Sequence, residues 1–225
     1  MKALLIHGLS SNSSTWWRVR DALENDGWDV VTPDLRGHGT ADRAASYALE
    51  DYAGDLPHGP FDLIVGHSLG GAIAVLRAAT ARQLVLLDPV LEVRPDDFDD
   101  IKAEQFAELQ LTAENIRASK PQWSERDLDL KIAAVQQVDP VAVERTFTDN
   151  PTWNVLEVAR ILTVPTLILG GDPAVYSMLA TDTARDLVAA NPLVEYRVVE
   201  GAGHSVHRDK PAEVISAIRE FYQRG

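Results

Sequence analysis

The chain has no cysteine among its 225 residues. That excludes disulfides, thiolate metal ligands and a cysteine nucleophile, and it leaves the redox compartment open. Positive charge is scarce. Lys and Arg number 21 against 34 Asp and Glu, a formal net charge of −13. Nucleic acid and anionic membrane surfaces would repel such a chain, so neither is expected as a partner. Long apolar runs are missing as well, and none approaches the roughly 18 residues of a membrane span. The opening MKALLIHGLSS has only residues 3–6 as an apolar run before His7-Gly8, too short for the core of a signal peptide. The default expectation is the cytoplasm. No metal-ligand pattern such as H-E-x-x-H is present, so no metal is expected. The acidic cluster Asp96, Asp97, Asp99 and Asp100 reads as a solvated loop and a first helical turn, where negative charge suits the dipole.

Hydrophobic residues make up 45% of the chain, enough for one sizeable core. They recur in short runs at residues 3–6, 28–31, 61–65, 84–87, 164–169 and 194–199. Most runs are continuous rather than alternating, as in strands buried on both faces of a parallel sheet. The first four lead through turn-like segments into stretches with helical spacing, which implies βαβ units in a right-handed, doubly wound α/β fold. From about Leu91 to Thr152 no strand is expected. Ile101, Gln105, Phe106, Leu109, Ala113 and Ile116 share one helical face, and Ile132, Val135 and Val138 begin another. The expected organisation is a core of residues 1–90 and 153–225, with a helical insertion at 91–152.

Gly66-His67-Ser68-Leu69-Gly70 stands directly after an apolar run and directly before a helical stretch. A chain that turns sharply from a parallel strand into a helix forces its apex residue into an unusual conformation, and flanking glycines let the neighbouring backbone pass close by. A serine at that apex is exposed at the carboxyl end of the sheet, beside helix N–H groups that favour negative charge. This strand–serine–helix context marks Ser68 as a candidate nucleophile. A phosphate loop is excluded, because Ala72 stands where the lysine belongs.

Serine needs a base, and the base needs an orienting carboxylate. The last apolar run leads into Glu200-Gly201-Ala202-Gly203-His204, and the two glycines let His204 reach over the sheet edge. His207, near the start of the final helix, is its rival. His38 and His67 read as structural histidines. Two aspartates follow strands. Asp172, after Gly170-Gly171 at the end of the fifth run, is the expected acid; Asp88, in Leu86-Leu87-Asp88-Pro89 after the fourth, is the competitor. Trp16 and Trp17 read as the start of the first helix after a cap from Ser13, Ser14 or Thr15, with one of them a candidate for the pocket. Trp123 and Trp153 are candidates for lining an apolar acyl site.

The elbow GHSLGG, the order Ser68…Asp172…His204, the early HGLSSNSSTWW, the loop DLRGHG, VPTLILGGD and GAGHSVH together resemble the α/β-hydrolase fold enzymes over nearly the whole chain. The resemblance implies a six-strand, mostly parallel sheet lacking the family's first two strands, with residues 28–31 at one edge. It implies that the insertion is a cap over the active site. It also implies that the backbone N–H groups of Leu9 and Leu69 form an oxyanion hole. Ser68, rather than an elbow aspartate, implies acyl transfer and hydrolysis of small to medium carboxylic esters without a cofactor. Lactone, amide or carbon–carbon bond hydrolysis, acyl transfer or perhydrolysis would use the same parts. A receptor-like binding module with a slow or silent triad is the alternative from another class.

Overall fold

In the computed structural model, which describes residues 1–224, β1 (Lys2–Ile6), β2 (Asp29–Val31), β3 (Phe61–His67), β4 (Ala81–Leu87), β5 (Thr166–Gly170) and β6 (Val194–Val198) form one sheet. The order is β2-β1-β3-β4-β5-β6, and every neighbouring pair is parallel. β2 lies at an edge, as expected for that run. Alternate residues of the inner strands enter opposite cores. Leu4, Ile64, Leu84 and Leu86 pack on one face, and Leu5, Leu63, Val65 and Val85 on the other. Burial on both faces is why these runs are continuously apolar rather than alternating.

Helices cover both faces. α1 (Trp17–Asn25) follows β1, α2 (Leu49–Asp55) follows β2, and α3 (Leu69–Leu76) follows β3. Asn12, rather than Ser13, Ser14 or Thr15, caps the 3-10 turn that leads into α1; its side chain accepts from the Ser14 amide at 3.1 Å. Residues 69–75 of α3 are all buried, which explains a helix with almost no polar face. After the insertion come α8 (Leu156–Arg160), α9 (Thr181–Ala190), α10 (Val206–Asp209) and α11 (Pro211–Arg224).

Between β4 and β5 the chain forms α4 (Phe98–Glu108), α5 (Ala113–Ser119), α6 (Glu125–Gln137) and α7 (Pro140–Thr148). The segment leaves and rejoins the sheet through a short antiparallel neck, where the Val93 amide donates to the Trp153 carbonyl at 2.9 Å and the Val155 amide to the Leu91 carbonyl at 2.8 Å. The single helical face expected over residues 101–116 is broken in two. Thr112 starts α5 with a capping box, its hydroxyl accepting from the Asn115 amide while the Asn115 side chain accepts from the Thr112 amide. No helix among the described residues is long and apolar enough to cross a membrane.

Candidate active site

β3 runs straight into α3 with Ser68 between them. Its backbone has φ 56° and ψ −120°, a region that L-residues other than glycine avoid. The surroundings hold this conformation. The Ser68 amide donates to the Leu87 carbonyl at 3.1 Å, and the Ser68 carbonyl accepts from the Gly71 and Val90 amides at 2.9 and 3.2 Å. The glycines around the serine serve close backbone approach. A Cβ on Gly70 would run into the Ile6 carbonyl, and one on Gly66 into the Gly70 carbonyl. A Cβ on Gly8 would lie 2.9 Å from the Ser68 Cβ, so the Gly8-Leu9 backbone passes alongside the serine. Leu69 is the first residue of α3, where a helix leaves its amides unpaired internally.

His204 sits in the loop after β6 and lines the same cavity as Ser68, Leu9 and Leu69. Its Nδ1 lies 2.7 Å from Asp88 Oδ2. Asp88 is the first residue after β4, wholly buried, with φ 39°. It also accepts from the Met178 amide at 2.9 Å on Oδ2, and from the Gly171 amide at 3.0 Å and the Ser177 hydroxyl at 2.6 Å on Oδ1. Burial alone would raise its pKa. The His204 hydrogen bond and charge, with the Ser177 and Gly171 donors, outweigh that and hold the carboxyl below its usual value. An ionised Asp88 only accepts, so His204 carries its proton on Nδ1 and leaves Nε2 as an acceptor.

The carboxylate that meets His204 is therefore Asp88, the competitor, and not Asp172. Asp172 follows β5 as the sequence suggested, but its side chain faces its own loop. Oδ2 accepts from the Gly201 amide at 2.8 Å and Oδ1 from the Ala174 amide at 2.9 Å, and these bonds lower its pKa. Asp172 therefore ties the His204 loop to the end of β5. The ring itself reaches Asp88 at the end of β4, one strand nearer to Ser68 than the end of β5.

The other histidines are structural. His67 donates from Nε2 to the His204 carbonyl at 2.9 Å and so holds the His204 backbone. The rival, His207, meets Thr15 Oγ1 at 3.0 Å and stacks on Trp16 at 4.8 Å, with no carboxylate partner. His7 accepts at Nε2 from the Leu35 amide at 3.0 Å and hence donates from Nδ1 to the Gly8 carbonyl at 2.8 Å. His38 holds the Arg36 carbonyl at 2.9 Å. Burial, and after it the charge of His38, pushes His7 down to about 3; burial pushes His38 to about 4. His67 and His207 are also lowered, chiefly by burial. All four are neutral when folded, with pKa values below those of the unfolded chain, near 6.5. Between those values the unfolded chain binds more protons, so stability falls as pH falls. The melting temperature is expected to drop from pH 7 to pH 5, before most carboxylates titrate; a flat profile over that interval would contradict the assignment of four neutral histidines.

A cavity of about 310 Å³ lies over Ser68. The insertion supplies much of its wall, including Ile101, Ile116, Trp123 and Phe147, and Trp153 closes it beside the neck. Of the candidate tryptophans, Trp123 and Trp153 line the cavity, whereas neither Trp16 nor Trp17 does. The described residues include no cluster of side chains suited to a metal.

The Alpha/beta hydrolase family model matches residues 3–217, and the chain belongs to that family. Its curated relatives include a pyrrolizixenacetamide deacetylase of Xenorhabdus hominickii, 30% identical over 97% of this chain and 89% of that protein. An sn-1-specific diacylglycerol lipase of Danio rerio is 24% identical over 98% of this chain and 78% of its own. Among solved structures, the esterase RhEst1 from Rhodococcus sp. ECU1013 matches with a TM-score of 0.80 at 20% identity, covering 99% of this chain and 90% of that one. The chain is accordingly a hydrolase of the α/β fold.

Proposed function

We propose that this chain is a serine hydrolase that cleaves small to medium carboxylic esters through an acyl-enzyme, with Ser68, His204 and Asp88 as its triad. The observation that carries the reading is His204, paired with the buried Asp88 at 2.7 Å, lining one cavity with a serine held at φ 56°. Ser68 Oγ attacks the carbonyl carbon, and its proton passes to His204 Nε2. Asp88 keeps the ring in the correct tautomer and stabilises the imidazolium. The Leu9 and Leu69 amides receive the oxyanion, each contributing about 3–4 kcal/mol to transition-state stabilisation. The tetrahedral adduct collapses and returns the proton to the leaving alcohol. Water, deprotonated by the same imidazole, then releases the acid. The apolar cavity wall suits a compact acyl or alcohol group. No cofactor enters the scheme, and the substrate is the only partner it needs.

Amide hydrolysis is the second reading, favoured by the deacetylase among the relatives. It uses the same parts, with His204 protonating a departing amine instead of an alcohol. A silent binding module is disfavoured, since the pairing of His204 with Asp88 beside a strained serine is the arrangement that activates a hydroxyl. The insertion at 91–152 acts as the cap, and the cytoplasm is the proposed location.

A panel of p-nitrophenyl esters of rising acyl length, with acetanilides for the amide arm, tests the reading. Turnover is expected with short and medium esters, falling as the acyl chain outgrows the cavity. Absence of turnover across the whole panel would contradict it.

A further inference from the structure

A second, narrow cleft of about 30 Å³ opens beside Ser68 and His204 and runs under the insertion. At about two water-sized groups, it has room for one small polar function. Arg208 and Lys131 line it. Arg208 lies on α10, one turn beyond His204, and is only 5% exposed. Its guanidinium stands 4.9 Å from the centre of the Trp123 ring, and its Nη2 is buried without a hydrogen-bond partner. No ion pair to Arg208 exists among the described residues.

Three carboxylates favour its charge from nearby, but each is already engaged. Asp127 pairs with Arg18 at 2.8 Å and accepts from Trp17 Nε1. Asp209 accepts from Trp123 Nε1 at 2.6 Å, Gln122 Nε2 at 3.0 Å and the Gly203 amide at 2.7 Å. Glu108 pairs with Lys131 at 2.8 Å. Lys131 is 6% exposed and donates also to the Ser10 carbonyl at 3.0 Å, so one of its three N–H groups has no bond to the protein. Burial lowers Arg208 to about 10, which leaves it charged at neutral pH.

A buried cation without a partner is costly, and a fold retains one where an anion completes it. We propose that Arg208, with Lys131 beside it, is an anion subsite, and that the substrate carries a carboxylate a few bonds from the group that Ser68 attacks. A guanidinium fork matches the two oxygens of a carboxylate. The cleft is narrow enough to suit that planar group. The broad cavity, which shares Ser68, His204, Glu108 and Lys131 with the cleft, then takes the rest of the substrate.

The substrate class rests on Ser68 being the nucleophile, but the subsite can be tested without turnover. Calorimetry on the Ser68→Ala protein compares the monomethyl esters of succinate, glutarate and adipate with their uncharged dimethyl esters. The best monomethyl ester is expected to bind at least tenfold tighter than its dimethyl counterpart. Arg208→Gln should abolish that preference, and Arg208→Lys should keep part of it. Equal binding of every charged and neutral pair by Ser68→Ala alone overturns the subsite, whether or not the Arg208 variants fold. The same pairs are offered to the wild type in a pH-stat. Charge-dependent binding without hydrolysis would sink the hydrolase reading and leave the subsite standing; hydrolysis without charge preference in binding would do the reverse.

Discussion

Asp88→Asn is expected to lower kcat on p-nitrophenyl butyrate by roughly 10⁴-fold, the size of effect seen when a triad aspartate becomes an amide. Asp88 receives donors on both oxygens: His204 and Met178 on Oδ2, Gly171 and Ser177 on Oδ1. An amide can offer acceptance at one of those positions only, and its nitrogen must face donors at the other. If that nitrogen faces His204, the ring shifts its proton to Nε2 and can no longer take one from Ser68. If it faces the Gly171 amide instead, a buried backbone donor loses its partner and the loop carrying Ser177 loosens. Asp172→Asn is the matched control. Its amide oxygen still accepts from one of the two loop amides, so kcat should fall less than about threefold. The pair of variants separates two aspartates that the sequence alone left in competition. An inactive Asp172→Asn beside an active Asp88→Asn would contradict the observed geometry.

Ser68→Ala should fall further, by about 10⁶-fold, because it removes the nucleophile and leaves only binding and oxyanion stabilisation. The variant should fold. Alanine adds no atoms, and the amide and carbonyl that lock the elbow belong to the backbone. Stability should change little, since the strained φ remains and the lost hydroxyl faces the cavity. Combining Ser68→Ala with Asp88→Asn should cost scarcely more than Ser68→Ala alone, because residues that act as one unit are not additive. Steady-state kinetics on the three proteins, with circular dichroism to verify folding, checks both statements. Near-wild-type turnover by Ser68→Ala would remove the covalent scheme.

What was legible in the sequence follows from how local each signal is. The inner strands are buried on both faces, so Leu63, Ile64 and Val65 announce a strand whatever surrounds them. The position of Ser68 at the elbow is legible because the strand, the glycines and the helix that shape it lie within one short segment. The loop that carries His204 is legible because two nearby glycines mark it. Which aspartate meets His204 was not, because the choice between Asp88 and Asp172 depends on which strand end the ring reaches in space. Both follow apolar runs; only the fold shows that the Gly201 and Ala174 amides already occupy Asp172. The break between α4 and α5 was missed although Thr112 and Asn115 stand at capping-box spacing, because the apolar face runs through it in register. Arg208 carried no signal at all. In HSVHRDK it reads as a surface residue of a short helix, and only the packing of the insertion over α10 buries it.

The central claim is that Ser68 is an activated nucleophile. Its most direct test is intact-protein mass spectrometry after exposure to a fluorophosphonate, followed by peptide mapping. The account predicts a single phosphonyl adduct on Ser68, formed quickly by the wild type, very slowly by Asp88→Asn and not at all by Ser68→Ala. No adduct on the wild type, or an adduct on another serine that persists in Ser68→Ala, would contradict it.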